Sequence, residues 1–451
     1  MQAAGLAATA AAARAAVLRD AARGRRRAPC DVVDRGEARP YAADGSGGAA
    51  LEVQRVVIRT DDSPQGTVPC LLVRPAPGPS APPPPRRRPP PCPAPGAPHS
   101  QCTGKAAGAG AGAGAAPSAR RPAVVLIHAS YSSKEAILPL LASYARRGYV
   151  AATIDNRYHG ERAAELWGRN SSGTHSTASG TAAVGRNSSI SSGSAAAAGR
   201  NNSSGTNSST SVGSGSGSTN SSSGGGAGAP LAPASGADKG ATYQAAIIAA
   251  WRGESEERPF LLDSVWDVLH LLDLLEAQPD VDAARIGMGG ISLGGMITWL
   301  TAVADDRVAV ATPAIGIQNW GWALANDAWQ ARLASVPRLG PAAAQDMGRA
   351  APDADVAEAV LRKLLPELLD WYDTPLSLPA LAPRPLLILN GELDARCPLD
   401  GVRAAVQDEQ VAYSAARAPE GAFELRVFEG VGHEFTPAMA DAAGAFFDEW
   451  L

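Results

Sequence analysis

"ARIGMGGISLGGMITWLTAVAD", residues Ala284 to Asp305, decides the fold. A short apolar run leads into glycines around one serine, and apolar residues at helical spacing follow. That is a strand, a sharp turn and a helix. Gly290-Ile291-Ser292-Leu293-Gly294 fits the pattern G-x-S-x-G, in which a serine sits on a strained turn while the flanking glycines let strand and helix approach closely. The Ser292 hydroxyl is then held out at the carboxyl edge of a sheet. The next amide, Leu293 N–H, lies at a helix N-terminus, where it can stabilise an oxyanion.

A serine nucleophile needs a base and an acid, which in such folds follow it along the chain. Of six histidines, His99 and His175 lie in low-complexity sequence, and His128, His159 and His270 precede the serine. His433, in "EGVGHEF", remains, on the loop after the last predicted strand. "LLILNGELDARCP" ends a strand and puts Asp394 just beyond it, between Ser292 and His433 in sequence. A carboxylate there would fix the imidazole tautomer and stabilise the imidazolium. Glu392 and Asp400 are its neighbours and competitors. Asp394 stands clear of the strand end, and Pro398 stiffens the loop. The structural alternatives are a turn-capping aspartate and an ordinary loop histidine.

Outward from this core, "LEVQRVVIRTDDSPQGTVPCLLVRPA" from Leu51 reads as a strand pair around a Pro/Gly turn. "RPAVVLIHAS" and "YVAATIDNRY" read as buried parallel strands flanking a helix. "FLLDSVWDVLHLLDLLEAQ" reads as an amphipathic helix, and "RVAVATPAIG", "RPLLILNG" and "FELRVFEG" as further strands. Alternation of this kind specifies an α/β fold with a mostly parallel central sheet and helices on both faces. Two stretches, 75–119 and 168–240, are built mainly from Pro, Gly, Ser, Asn and Ala. They cannot bury enough apolar surface to offset chain entropy and read as disordered low-complexity insertions. Without them and the Ala/Arg-rich segment 1–50, roughly 280 residues remain, enough for one large domain spanning 51–451.

The chain has 451 residues, 45% hydrophobic, with 40 Lys+Arg against 44 Asp+Glu. That balance gives no reason to expect nucleic acid as a partner. Five cysteines without paired spacing suit a reducing compartment. No run approaches the length of a membrane helix and no secretory leader is apparent, so a cytoplasmic location is expected. The Arg-bearing, acid-poor start reads either as a surface helix or as a transit peptide for chloroplast or mitochondrion.

"VVLIHAS", "DNRYHGER", "RIGMGGISLGGM", "LLILNGELDARCP" and "GVGHEF" together resemble the α/β-hydrolase superfamily. The likeness is to its dienelactone hydrolase, acetyl esterase and prolyl oligopeptidase-like branch, and especially to uncharacterised plant and algal hydrolases. It covers the chain from about Leu51 to the end, apart from the two insertions. The resemblance implies an α/β-hydrolase fold and a second oxyanion donor in "HASYSSK". Many members begin that loop His-Gly where this chain has His128-Ala129, so the donor expected here is the amide of Ser130 or Ala129, with the Tyr131 phenol as helper. His128 reads either as part of the substrate site or as a buried, backbone-bonded histidine.

"DNRYHGER" offers Tyr158 and His159 to a substrate entrance, or Glu161 and Arg162 to local ion pairs. A metal on His159 and Glu161 lacks further ligands, so neither metal nor cofactor is expected. Residues 318–372, with Trp320, Trp322, Trp329, Trp371 and Tyr372, read as a helical lid walling an apolar pocket or as ordinary packing helices. The expected function is a serine hydrolase acting on a small-molecule ester or related acyl bond. The rivals are a peptidase and a hydrolase fold kept for binding.

Overall fold

The structure, a computed structural model, describes residues 2–23, 25, 30–41, 50–76, 120–164 and 236–451. Stretches 77–119 and 165–235, which hold nearly all of both expected insertions, lie outside the described residues. Contacts join Met1–Arg169 and Ala234–Leu451 into one unit, while a second unit, Asn170–Pro233, lies wholly outside the described residues.

The folded unit crosses the boundary expected at residue 50. Helix α1 (Gln2–Ala22) buries Ala13, Ala16, Val17 and Ala21 completely, a stripe at helical spacing whose small side chains allow close approach. Strands β1 (Asp31–Arg35) and β2 (Arg39–Tyr41) then pair antiparallel with β3 (Leu51–Arg59). β3 forms the expected hairpin with β4 (Thr67–Pro75).

The central elements follow in turn. They are β5 (Arg121–Ile127), α2 (Leu138–Arg146), β6 (Val150–Ile154), α3 (Glu161–Ala164), α4 (Gly236–Arg252), α5 (Leu262–Glu276), β7 (Val281–Ile291), α6 (Leu293–Ala304) and β8 (Val308–Ala314). Next come α7 (Trp320–Ala325), α8 (Gln330–Leu333), α9 (Leu339–Asp346), α10 (Ala354–Leu364) and α11 (Thr374–Ser377). The chain ends with β9 (Leu386–Gly391), α12 (Leu399–Ala405), α13 (Glu409–Ala415), β10 (Phe423–Phe428) and α14 (Pro437–Trp450).

The sheet order is β1-β3-β4-β6-β5-β7-β8-β9-β10, with β2 on β3. β4 runs antiparallel to both β3 and β6, and every pair from β6 to β10 is parallel. Parallel strands must be covered on both faces, which explains the continuous apolar runs "AVVLI" and "LLIL". Helices α1, α5 and α6 pack on one another, and Gly290 of β7 abuts α6. Gly287 of the same strand faces Phe447 of α14, whose ring meets Tyr144 of α2 at 5.7 Å. The two helix groups therefore flank the sheet on opposite faces.

Two elements differ from expectation. Helix α5 is buried nearly all round, because α1 packs against it and arginines from elsewhere reach its acids. Helix α4 begins at Gly236, inside the stretch read as insertion up to residue 240, and buries Tyr243, Ile247 and Trp251 four residues apart.

Candidate active site

The turn between β7 and α6 holds Ser292 at φ 54°, ψ −109°, a backbone region a side-chain-bearing residue enters at a cost of about 1–3 kcal/mol. The surroundings hold it there. Ser292 N–H donates to the Ala314 carbonyl at 3.0 Å, and its own carbonyl accepts from Met296 N–H at 2.9 Å. A Cβ at Gly290 would lie 2.2 Å from the Gly294 carbonyl oxygen, and one at Gly294 would lie 2.0 Å from that of Ile127. Both positions admit only glycine, and the second lets the start of α6 touch the end of β5.

Ser292 Oγ lies 2.8 Å from His433 Nε2, and His433 Nδ1 lies 2.8 and 2.9 Å from the two Asp394 oxygens. The loops that present them are fastened together. Leu393 N–H donates to the Val431 carbonyl at 2.8 Å, and Gly430 N–H to Glu392 Oε2 at 2.9 Å. Glu392 is therefore a loop tie, and Asp400 pairs with Arg403 at 3.5 Å. Asp394 is buried, yet its carboxyl sits below the usual range. Burial works against the charge, but the hydrogen bond and charge of His433 and the amides of Cys397 and Arg396 outweigh it. A fixed carboxylate of this kind keeps the Nδ1–H tautomer and leaves Nε2 free to take the serine proton.

The amides of Leu293, Ala129 and Ser130 donate to no acceptor among the described residues. The contact of Gly294 with the carbonyls of Ile127 and His128 brings the two stretches side by side. The arrangement can hold a negative oxygen next to Ser292.

Four side chains expected at the substrate are engaged elsewhere. His128 is fully buried; its Nδ1 lies 2.8 Å from the Ala129 carbonyl, and its Nε2 accepts from Asn156 N–H at 3.1 Å. Burial pulls its pKa down to about 4, so it is a neutral structural imidazole. The Tyr131 hydroxyl donates to the Ser335 carbonyl at 3.0 Å, which ties the oxyanion loop to residues 318–372 instead of presenting a proton to a substrate. The Tyr158 hydroxyl donates to Glu257 at 2.6 Å inside the protein. His159 is packed against Tyr243 with ring centroids 4.4 Å apart, and its Nδ1 meets the Arg157 carbonyl. The sequence places these residues just after strand ends, but which way each side chain faces depends on packing from elements distant in the chain, such as Tyr243 of α4 on His159 and Ser335 on Tyr131.

Of the aromatics in 318–372, Trp320, Trp322 and Trp329 line a pocket of about 750 Å³ counted to its open mouth. Trp371 is exposed, and Tyr372 is buried with its hydroxyl on Asp20 of α1 at 2.9 Å; neither lines this pocket.

"DNRYHGER" builds an internal charge network. Lys134, unremarked in the sequence, is buried against Asp155 at 2.7 Å, Glu161 at 2.6 Å and Glu135 at 2.6 Å. Asp267 of α5 takes Arg157 and Arg162, each at 2.9 Å. Among the described residues two groups of three ligand-type side chains lie close together. Glu135, Asp155 and Glu161 already surround the Lys134 ammonium. In Asp394, Cys397 and His433 the thiol is held protonated by burial and donates to the Ile315 carbonyl at 3.2 Å. Neither set has the free donors a metal site requires.

The strand order, the antiparallel β4 and the serine turn after β7 define the α/β-hydrolase fold. The chain matches no protein-family model. It is 25% identical over 187 residues to "Putative hydrolase YtaP" of Bacillus subtilis, a match covering 42% of this chain and 53% of the relative. The chain thus spans about half the length of that curated relative. Among solved structures it is similar to acetyl xylan esterase 1 from Thermoanaerobacterium (13% identity, 97% of this chain and 92% of the other, TM-score 0.47). A second is the acetyl xylan esterase from Paenibacillus sp. R4 (15%, 97% and 94%, TM-score 0.48). A third is a cold-adapted esterase from an Arctic intertidal metagenomic library (13%, 92% and 99%, TM-score 0.40). Among the described residues no helix is long and apolar enough to cross a membrane.

Proposed function

We propose that the protein is a serine hydrolase that cleaves a carboxylic ester or related acyl bond of a small molecule through an acyl-enzyme. The observation that supports it is the unbroken relay from Ser292 Oγ to His433 Nε2 at 2.8 Å and from His433 Nδ1 to Asp394 at 2.8 Å. Ser292 Oγ attacks the carbonyl carbon while His433 takes its proton; the same proton passes to the departing alkoxide, which leaves as the alcohol. Water then gives a proton to His433 and a hydroxyl to the acyl carbon, releasing the acid and restoring the serine. Asp394 orients His433 and offsets its charge. The amides of Leu293 and of Ala129 or Ser130 hold the oxyanion, each contributing about 3 kcal/mol of barrier lowering. The hydrolase and esterase names among similar proteins accord with this reading.

The test is a panel of p-nitrophenyl esters of graded acyl length beside peptide p-nitroanilides. Ester turnover lost in Ser292→Ala is the expected result. Turnover confined to the anilides would replace the esterase reading with a peptidase, and no turnover of either by folded protein would leave the fold as a binding module.

A further inference from the structure

The pocket of about 750 Å³ lies between helices α7 to α10 and the loop that carries Asp394, and neither Ser292 nor His433 is among its lining residues. Its walls are apolar, with Trp320, Trp322, Leu333, Val336, Leu361 and Leu364 on the inner face. Two cations also line it, Arg332 and Arg396, and no aspartate or glutamate does.

Arg332 is only 8% exposed. Its Nη2 donates to the Arg396 carbonyl at 3.3 Å and to the Cys397 sulfur at 3.6 Å, both neutral acceptors. The guanidinium lies 5.7 Å from the Trp320 ring centroid, and Arg332 Nε and Trp320 Nε1, both buried, have no hydrogen-bond partner among the described residues. Among the described residues no carboxylate lies within ion-pair distance of it. The carboxylate that acts on it from farther away, Asp394, is already bonded to His433. A buried cation without a counter-ion is a costly arrangement, made favourable when a ligand supplies the missing charge and acceptors. A planar carboxylate matches a guanidinium fork, and apolar walls accept an alkyl or aryl body.

We infer that this pocket binds an apolar monocarboxylate, with the carboxylate on Arg332 and the Trp320 indole N–H and the hydrocarbon body among the α7–α10 side chains. The inference stands apart from the hydrolase reading, because it needs no chemistry at Ser292.

Calorimetric titration of the full-length protein with octanoate, octanol and acetate tests it. Wild type is expected to bind octanoate at least about tenfold more tightly than octanol, and acetate hardly at all. Arg332→Leu is expected to bring octanoate down to the octanol level while octanol binding persists. Trp320→Phe, which removes one N–H and keeps the ring, is expected to weaken octanoate several-fold and serves if Arg332→Leu does not fold. Equal affinity for octanoate and octanol in wild type overturns the inference. So does an octanoate preference that survives the substitution made, or no saturable octanoate binding up to about 10 mM.

Discussion

Two polar clusters sit along the carboxyl edge of the sheet, and they differ in what their groups have left to do. At β6, Asp155, Lys134, Arg157, Arg162 and Asp267 satisfy one another: every buried charge has an opposite charge within about a hydrogen bond. At β7, β9 and β10, the relay ends on a serine hydroxyl on a strained turn, beside amides with no acceptor among the described residues. The first cluster is closed and resists change; the second is open at one end, where under the proposed function a substrate carbonyl would complete it. Density of charged residues in a sequence therefore does not mark the reacting centre. An unspent nucleophile beside unspent donors does.

Substitutions on the two sides should separate rate from stability. Ser292→Ala is expected to lower kcat by about 10⁵–10⁶-fold with little change in melting temperature, measured by ester turnover and circular dichroism. Asp394→Asn should cost about 10⁴-fold in kcat, since the amide favours the wrong imidazole tautomer. A loss of rate explained wholly by unfolding in either variant would erase the distinction between the clusters. Asp267→Ala should do the reverse, removing about 3–5 kcal/mol of stability by leaving Arg157 and Arg162 buried without their shared partner. Denaturant melts read that loss, and an unchanged midpoint would contradict the closed-network account.

Glu409 sharpens the comparison from a third side, as a fully buried acid whose two oxygens find no partner among the described residues. Burial first, and the charge of Asp408 second, push its pKa up to about 8 from an ordinary 4.5. Folding therefore favours its protonated form. The protein incurs no penalty below pH 4.5, loses stability progressively as pH rises from 4.5 to about 8, and stays at that lower level above it. Glu409→Gln should be nearly neutral at pH 4.5 and stabilising by about 2–4 kcal/mol at pH 9, read from melts at the two values. Equal effects at both would place the carboxyl in contact with water or a partner.

The hydrogen-bonded set Ser292, His433 and Asp394 is readable because its positions are punctuated. Gly290 and Gly294 frame Ser292 at close approaches that no other residue fits, and a single histidine follows the serine. The parallel strands were readable as unbroken apolar runs. Side-chain direction was not. His128, Tyr131, Tyr158 and His159 sit at strand ends as expected, yet three are sealed by packing and the fourth has its hydroxyl on Ser335. Composition misleads at two helices of the folded unit, α1 and α4. Helix α1 is Ala-rich and looked detachable, yet its small residues are what fit it against α5 and α6. Helix α4 follows a Ser/Gly/Asn stretch and was partly absorbed into it, although Tyr243, Ile247 and Trp251 at four-residue intervals carried the signal. Arg332 gave none, since a lone arginine in a helical stretch shows nothing until its lack of a carboxylate partner is seen.

The central claim is that Ser292 is an activated nucleophile. Incubating the protein with a fluorophosphonate probe and mapping the adduct by peptide mass spectrometry tests it directly. The account predicts one adduct, on the peptide containing Ser292, absent in Ser292→Ala and much slower to form in His433→Ala. Folded wild type that takes no label, or takes it on another serine, would contradict it.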